Sequence, residues 1–112
     1  AKNDKHIAFS PPIWSTTQSG QWMHIATVYD GDAATTTHYV DGEIVSVDRI
    51  PEDMRIEAAE IGAASIGNWS EPKRNDPEFA VRNLNGTIDE FFIFSAALAE
   101  SEVRSIYEVG RP

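Results

Sequence analysis

The side chains that could perform chemistry in this 112-residue chain are its carboxylates and its three histidines. His6, His24 and His38 lie on separate predicted strands and do not share a metal-ligand spacing. A glycoside hydrolase needs two carboxylates that face one cleft, whereas the consecutive Asp89 and Glu90 face opposite sides of a strand. The sequence carries no nucleophile elbow, phosphate loop or dinucleotide fingerprint. It therefore predicts a protein that is not an enzyme.

Residues 69–84 form the longest segment without hydrophobic periodicity, and such loops often carry function. Trp69 could stack on a sugar ring while polar neighbours bind its hydroxyl groups. The same tryptophan could instead anchor the loop against the rest of the domain. On the first reading the predicted ligand-binding residues are Trp69, Arg74, Asn75 and Asp76.

The charge balance argues against nucleic acid as a partner. Eighteen acidic residues against nine basic ones give a formal net charge of −9, and no stripe of Lys and Arg is present to neutralise phosphates. No apolar run approaches the length that spans a bilayer, so membrane insertion is not expected. Cysteine is absent, which removes disulfides, thiolate metal sites and a cysteine nucleophile.

The elements that would position these residues are mostly strands. Asp41-Gly42 is the strongest hairpin signal, because a two-residue type I′ turn needs positive φ at both positions. It joins predicted strands at 35–40 and 43–48, which follow a strand at 21–30. A regular ladder pairs His38 with Val45, so one face is predicted to hold His38, Val40, Val45 and Val47, and the other Tyr39 and Ile44.

The C-terminal segment, residues 86–110, is predicted to contain a strand and a closing helix. Residues 86–94 are apolar at both parities, which favours a central strand. Val103, Ile106 and Tyr107 follow the i, i+3, i+4 spacing of one buried helical stripe. With seven or eight strands in total, the chain is predicted to be an all-β antiparallel sandwich with one short C-terminal helix. Trp14 and Trp22 are expected in its core.

Four motifs in the order and spacing of one family support this fold. Together the motifs resemble the laminin-G-like domains of the concanavalin A-like jelly-roll superfamily and cover most of residues 20–110. They are Gln21-Trp22-Met23-His24-Ile25-Ala26 with Tyr29-Asp30, Tyr39-Val40-Asp41-Gly42, Ile66-Gly67-Asn68, and Gly86-Thr87-Ile88-Asp89-Glu90 followed by Glu102-Val103 and Ile106-Tyr107.

The resemblance implies a jelly-roll domain over residues 1–112 that serves as a non-catalytic recognition module of an extracytoplasmic protein. A glycan is the first expected ligand and a protein the second. A structural or spacer domain appended to a cell-surface or membrane-anchored signalling protein is the alternative. Family members usually carry several more strands before Trp22, so the chain is expected to be the C-terminal portion of a larger module.

Three further expectations depend on that resemblance. A structural calcium could lie near Asp89, but the preferred interpretation is that this residue accepts backbone N–H bonds at the start of its strand. Missing strands would expose apolar side chains such as Tyr39 and Ile44, and we expect self-association or pairing with another chain. Family members usually carry Ser or Thr at the position of Ala99. The methyl group of Ala99 has no acceptor, so of the two bonds of a capping box only the bond from the residue 99 N–H to Glu102 is expected.

Overall fold

The computed structural model describes residues 19–55, 62, 66 and 86–110. Within these residues one antiparallel sheet has the strand order β1-β2-β3, and one α-helix follows near the C-terminus. The chain divides into two compact units, residues 1–57 with 94–112 and residues 58–93. All regular elements of the described part belong to the first unit: β1 (Ile25–Asp30), β2 (Thr35–Val40), β3 (Glu43–Arg49), a 3-10 turn (Glu52–Met54) and α1 (Glu100–Gly110).

The first strand is shorter than the sequence predicts, because it begins at Ile25 and not at residue 21. The backbone of His24 is engaged by the Asp41 turn: the Asp41 N–H donates to the His24 carbonyl (2.8 Å), and the His24 N–H donates to Asp41 Oδ1 (2.9 Å). These two bonds stand in place of regular strand pairing at His24, and β1 begins at the next residue. Trp22 lies just before this junction and is 61% exposed, so its predicted core position is wrong.

The predicted hairpin is confirmed. Asp41 and Gly42 have φ values of 51° and 77°, which place both turn residues in the left-handed region that a type I′ turn requires. The turn pairs Val40 with Glu43 and Tyr39 with Ile44, as predicted.

Beyond these two pairs, the predicted register of the hairpin is wrong. A register shift between His38 and Tyr39 pairs His38 with Ser46, so Val45 is the extra residue of a β-bulge. Because side chains alternate along a strand, this single extra residue reverses the facing of the rest of β3. Ser46 and Asp48 share the face of His38, while Val47 lies opposite Thr37 on the other face.

The helix packs against the hairpin turn. Val103 is 1% exposed, and Ile106 and Tyr107 are half-buried, which confirms the predicted stripe. A Cβ built on Gly42 would lie 3.0 Å from Tyr107 Cδ1 and 3.5 Å from the Arg104 Cα, so this glycine permits the close approach. The contact also contains a salt bridge between Arg104 Nη2 and Glu43 Oε1 (2.9 Å).

The prediction of a central strand at residues 86–94 is wrong. Residues 87–94 are not in a strand, and their apolar side chains at both parities are about half exposed, with Phe91 at 57%. A strand that is apolar on both faces needs a covering layer on each side. Here the apolar side chains of both odd- and even-numbered residues are exposed, so neither set is covered by such a layer. Predicted strands at 6–10, 13–17 and 56–60 lie outside the described residues, as does Trp14. Gly62 and Ile66, from the predicted strand at 61–68, are not in a strand.

Candidate functional site

The residues predicted to bind a ligand, Trp69, Arg74, Asn75 and Asp76, lie outside the described residues. Asp89 is described and exposed, in a segment without regular structure. No group of three or more His, Asp or Glu side chains that could hold a metal ion occurs among the residues that the structure describes. The calcium expected near Asp89 therefore stays a prediction.

The β-bulge creates a different group of polar side chains, the His38 cluster, which consists of Thr27, His38, Ser46 and Asp48. Each residue lies on the same face of the sheet, because Thr27 pairs with His38 and His38 pairs with Ser46. A regular register would place Val45 and Val47 on this face in place of the serine and the aspartate. Bulges often re-aim side chains in this way beside functional sites.

The cluster is a continuous chain of polar contacts across all three strands. A hydrogen bond joins Thr27 Oγ1 and His38 Nδ1 (3.0 Å), and His38 Nε2 lies 3.6 Å from Asp48 Oδ2. The Ser46 hydroxyl donates to the same Asp48 oxygen (3.0 Å). The imidazole is thus held between a hydroxyl on β1 and a carboxylate on β3.

Burial differs between the centre of the cluster and its ends. His38 is 8% exposed, whereas Thr27 is exposed and the Asp48 side chain is 42% exposed. Both polar groups that reach solvent have a partner on the sheet: the buried imidazole bonds to Thr27, and the Ser46 hydroxyl donates to Asp48. This arrangement can exchange hydrogen bonds with a polar ligand, because Asp48 is an acceptor and Thr27 is both a donor and an acceptor.

On the same face, the surroundings of the cluster include exposed aromatic and apolar side chains and, near the turn, the Glu43 carboxylate, because Glu43 pairs with Val40. Tyr29 and Ile25 flank Thr27 on the same face of β1 and are exposed. Arg49 is the one Lys or Arg residue of the three strands, and it pairs with Thr35 on the opposite face. An exposed aromatic ring beside fixed hydrogen-bonding groups is the combination that binds sugar rings.

The junction between the helix and the turn has a structural role. The rings of His24 and Tyr107 lie 5.8 Å apart, and His24 Nδ1 is buried without a hydrogen-bond partner. Tyr39 is 4% exposed, so the prediction that it forms part of an exposed apolar face is wrong; Ile44, its partner in that prediction, is 43% exposed. Burial, with a smaller contribution from the Glu100 carboxylate, raises the pKa of Tyr39 above its ordinary value.

The sequence does contain a signal that could have indicated the His38 cluster. Polar and apolar side chains alternate in Val45-Ser46-Val47-Asp48, and they also alternate around Thr27 on β1. These patterns are compatible both with a regular β2–β3 register and with a bulged one. Only the bulged register provides His38, in the middle of the central strand, with polar partners on both sides. The bulged register therefore adds the approach of His38 to the Asp48 carboxylate (3.6 Å), whereas the hydrogen bond with Thr27 on β1 does not depend on the register of β3.

In the described part of the chain, an antiparallel sheet presents these polar side chains on one face. A sequence model of laminin G-like domains in the concanavalin A-like lectin/glucanases superfamily matches residues 4–104. The chain belongs to this family and has its jelly-roll fold. No curated protein matches the chain.

Among solved structures, the chain is similar to residues 221–444 of an S-layer domain-containing protein from Clostridium thermocellum. The two are 27% identical with a TM-score of 0.50, and the match covers 84% of this chain and 42% of that one. The chain therefore spans less than half the length of this relative. In the part of the chain that is described, no helix is both long and apolar enough to cross a membrane.

Proposed function

We propose that this chain is a non-catalytic glycan-recognition module of an extracytoplasmic protein, and that the His38 cluster with Tyr29 is its binding surface. Membership of a family of binding modules supports the general function. Similarity to an S-layer domain-containing protein supports the location. The site itself depends on the bulged register, which sets polar groups at fixed positions beside an exposed tyrosine.

Two contributions to binding follow from this surface. Tyr29 offers an apolar ring face to a sugar. Thr27 and Asp48 supply hydrogen bonds in an orientation that His38 and Ser46 already hold. A ligand that meets a preorganised surface loses less affinity to the ordering of side chains.

The test is isothermal titration calorimetry of the folded protein with cellohexaose, N-acetylchitohexaose and dextran. We expect binding to at least one of them, and we expect Thr27→Val to weaken it about tenfold, the size of one lost hydrogen bond in a well-formed site. Thr37→Val is the matched control, because Thr37 lies on β2 with its side chain on the opposite face. Equal loss in both variants, or no binding by the wild-type protein, would refute the proposal.

The second candidate function is protein recognition, and a separate observation favours it. Residues 88–94 expose several large apolar side chains close together in sequence, among them Ile88, Phe91 and Ile93. Exposed apolar groups of this kind often mark contacts between proteins. Sedimentation velocity from micromolar to millimolar concentration tests for self-association, and Phe91→Ser should reduce it. A wild-type monomer throughout that range would contradict self-association.

A spacer role is the remaining alternative, and the same measurements distinguish it. A spacer would bind none of the three glycans and would stay monomeric. We also expect the glycans to remain intact after prolonged incubation, because the His38 cluster contains one carboxylate and glycoside hydrolysis ordinarily uses two. Release of shortened products, detected by chromatography, would contradict the non-catalytic assignment.

A further inference from the structure

We infer that the His38 cluster selects its ligand by charge: it binds uncharged, hydroxyl-rich sugars more tightly than sulfated and uronic-acid glycans. This inference rests on the proposed function and adds the chemical class of glycan. The observations behind it are the position of Asp48 and the places where the described basic residues lie.

Asp48 is the group that an anionic ligand would meet. Its carboxylate is held on the face of the cluster by the Ser46 hydroxyl, and 42% of the side chain is exposed. A neutral sugar hydroxyl can donate a hydrogen bond to this carboxylate. A sulfate or uronate at the same position has only acceptor oxygens and repels it.

The arginines of the described residues do not offset this repulsion. Arg49 lies on the opposite face of the sheet, and Arg55 donates to the Gly31 carbonyl. Arg104, on α1, is neutralised by its salt bridge with Glu43, which lies at the turn end of the same face as His38. Recognition of a sulfate group ordinarily uses an arginine fork aimed at it, and the three strands place none on the face of the His38 cluster.

The formal net charge of −9 acts in the same direction over a longer range. It disfavours the approach of any polyanion and slows its association at low ionic strength. Two like charges about 4 Å apart reduce affinity roughly fivefold even with full water screening, and more where water is displaced. We therefore expect sulfated ligands to bind at least about fivefold more weakly than their uncharged forms.

The experiment compares cellohexaose, N-acetylchitohexaose and dextran, each with its sulfated form, by titration calorimetry at pH 8 and low salt. Asp48→Asn keeps the acceptor oxygen for Ser46 and removes the charge, so the preference for uncharged glycans should fall about fivefold. Glu108→Gln on the exposed side of α1 changes the net charge equally and should leave the preference unchanged.

The possible outcomes separate this inference from the proposed function. If uncharged glycans bind and their sulfated forms bind as tightly, charge selection is wrong and the recognition function stands. The same conclusion follows if Glu108→Gln changes the preference as much as Asp48→Asn, because net charge and not the cluster would then be responsible. If no glycan binds to folded wild-type protein, both proposals fail.

Discussion

Replacing Ala99 with Ser should stabilise the protein through the N-terminus of the closing helix. Helix α1 begins at Glu100, so Ala99 is the N-cap residue. The Ala99 N–H donates to Glu102 Oε1 (2.9 Å), which confirms that Glu102 supplies its half of a capping box. The other half is missing because a methyl group cannot accept a hydrogen bond from the first turn.

The expected gain follows from the N–H groups that already have partners. Both Glu102 and Val103 donate their backbone N–H to the Ala99 carbonyl (3.0 Å each). A serine hydroxyl would therefore serve mainly the Ser101 amide or share the Glu102 amide. An N-cap is worth about 0.5–2 kcal/mol, and this partial satisfaction places Ala99→Ser near 0.5–1 kcal/mol. At about 4–8 °C per kcal/mol, the melting temperature should rise by roughly 2–8 °C.

Urea denaturation followed by circular dichroism measures this gain directly, with an unchanged m-value as the sign that only stability has changed. Glu102→Ala removes the existing half of the exchange and should destabilise the wild-type protein. Ala99→Val is the control without an acceptor and should give no stabilisation. A neutral or negative effect of Ala99→Ser would mean that the backbone of residue 99 cannot present the hydroxyl to the first turn, and the capping argument would fail.

Three further perturbations test other parts of the structure. Gly42→Ala should lower the free energy of unfolding by about 2–4 kcal/mol, because the new methyl group combines a positive φ with a 3.0 Å approach to Tyr107. Gly20→Ala should lower it by only about 1–2 kcal/mol, since the φ of Gly20 is positive but nothing lies within 4 Å. Equal losses in the two variants would refute the packing of the helix on the turn. The raised pKa of Tyr39 predicts stability that is fully present up to about pH 10 and falls as the pH rises through the folded-state value. Absorbance titration at 295 nm should show one tyrosine ionising late, and Tyr39→Phe should remove it. Millimolar calcium should raise stability by less than about 2.7 kcal/mol, and a larger shift that Asp89→Asn abolishes would establish a metal site there.

The sequence determined the features that depend on neighbouring residues. Asp41-Gly42 specified the hairpin turn, because few residue pairs accept two positive φ values. The stripe led by Val103 specified the buried side of the helix, and Glu102 specified the capping contact. In each case the physical cause acts within about one helical turn or one tight turn, so its residues are adjacent in the sequence.

Sequence reasoning went wrong where the outcome depends on distant partners. Trp22 has the composition of a core residue and is exposed, while Tyr39 was expected at the surface and is buried. Residues 86–94 carry apolar side chains on both faces, as a central strand does, but such a strand exists only when other segments cover both faces. Apolar character shows that a residue can be buried, and the tertiary structure decides which ones are.

The His38 cluster shows the same limit at the candidate site. The types of its residues and the strands that carry them were visible in the sequence, but a one-residue bulge decides which side chains of β3 share a face with His38. The sequence of β3 alternates Val with a polar residue, so it is compatible with either face towards His38, and local sequence does not distinguish a regular register from a bulged one. The approach of His38 to the Asp48 carboxylate (3.6 Å) depends on the bulged register, and that contact arises only after the strands have come together.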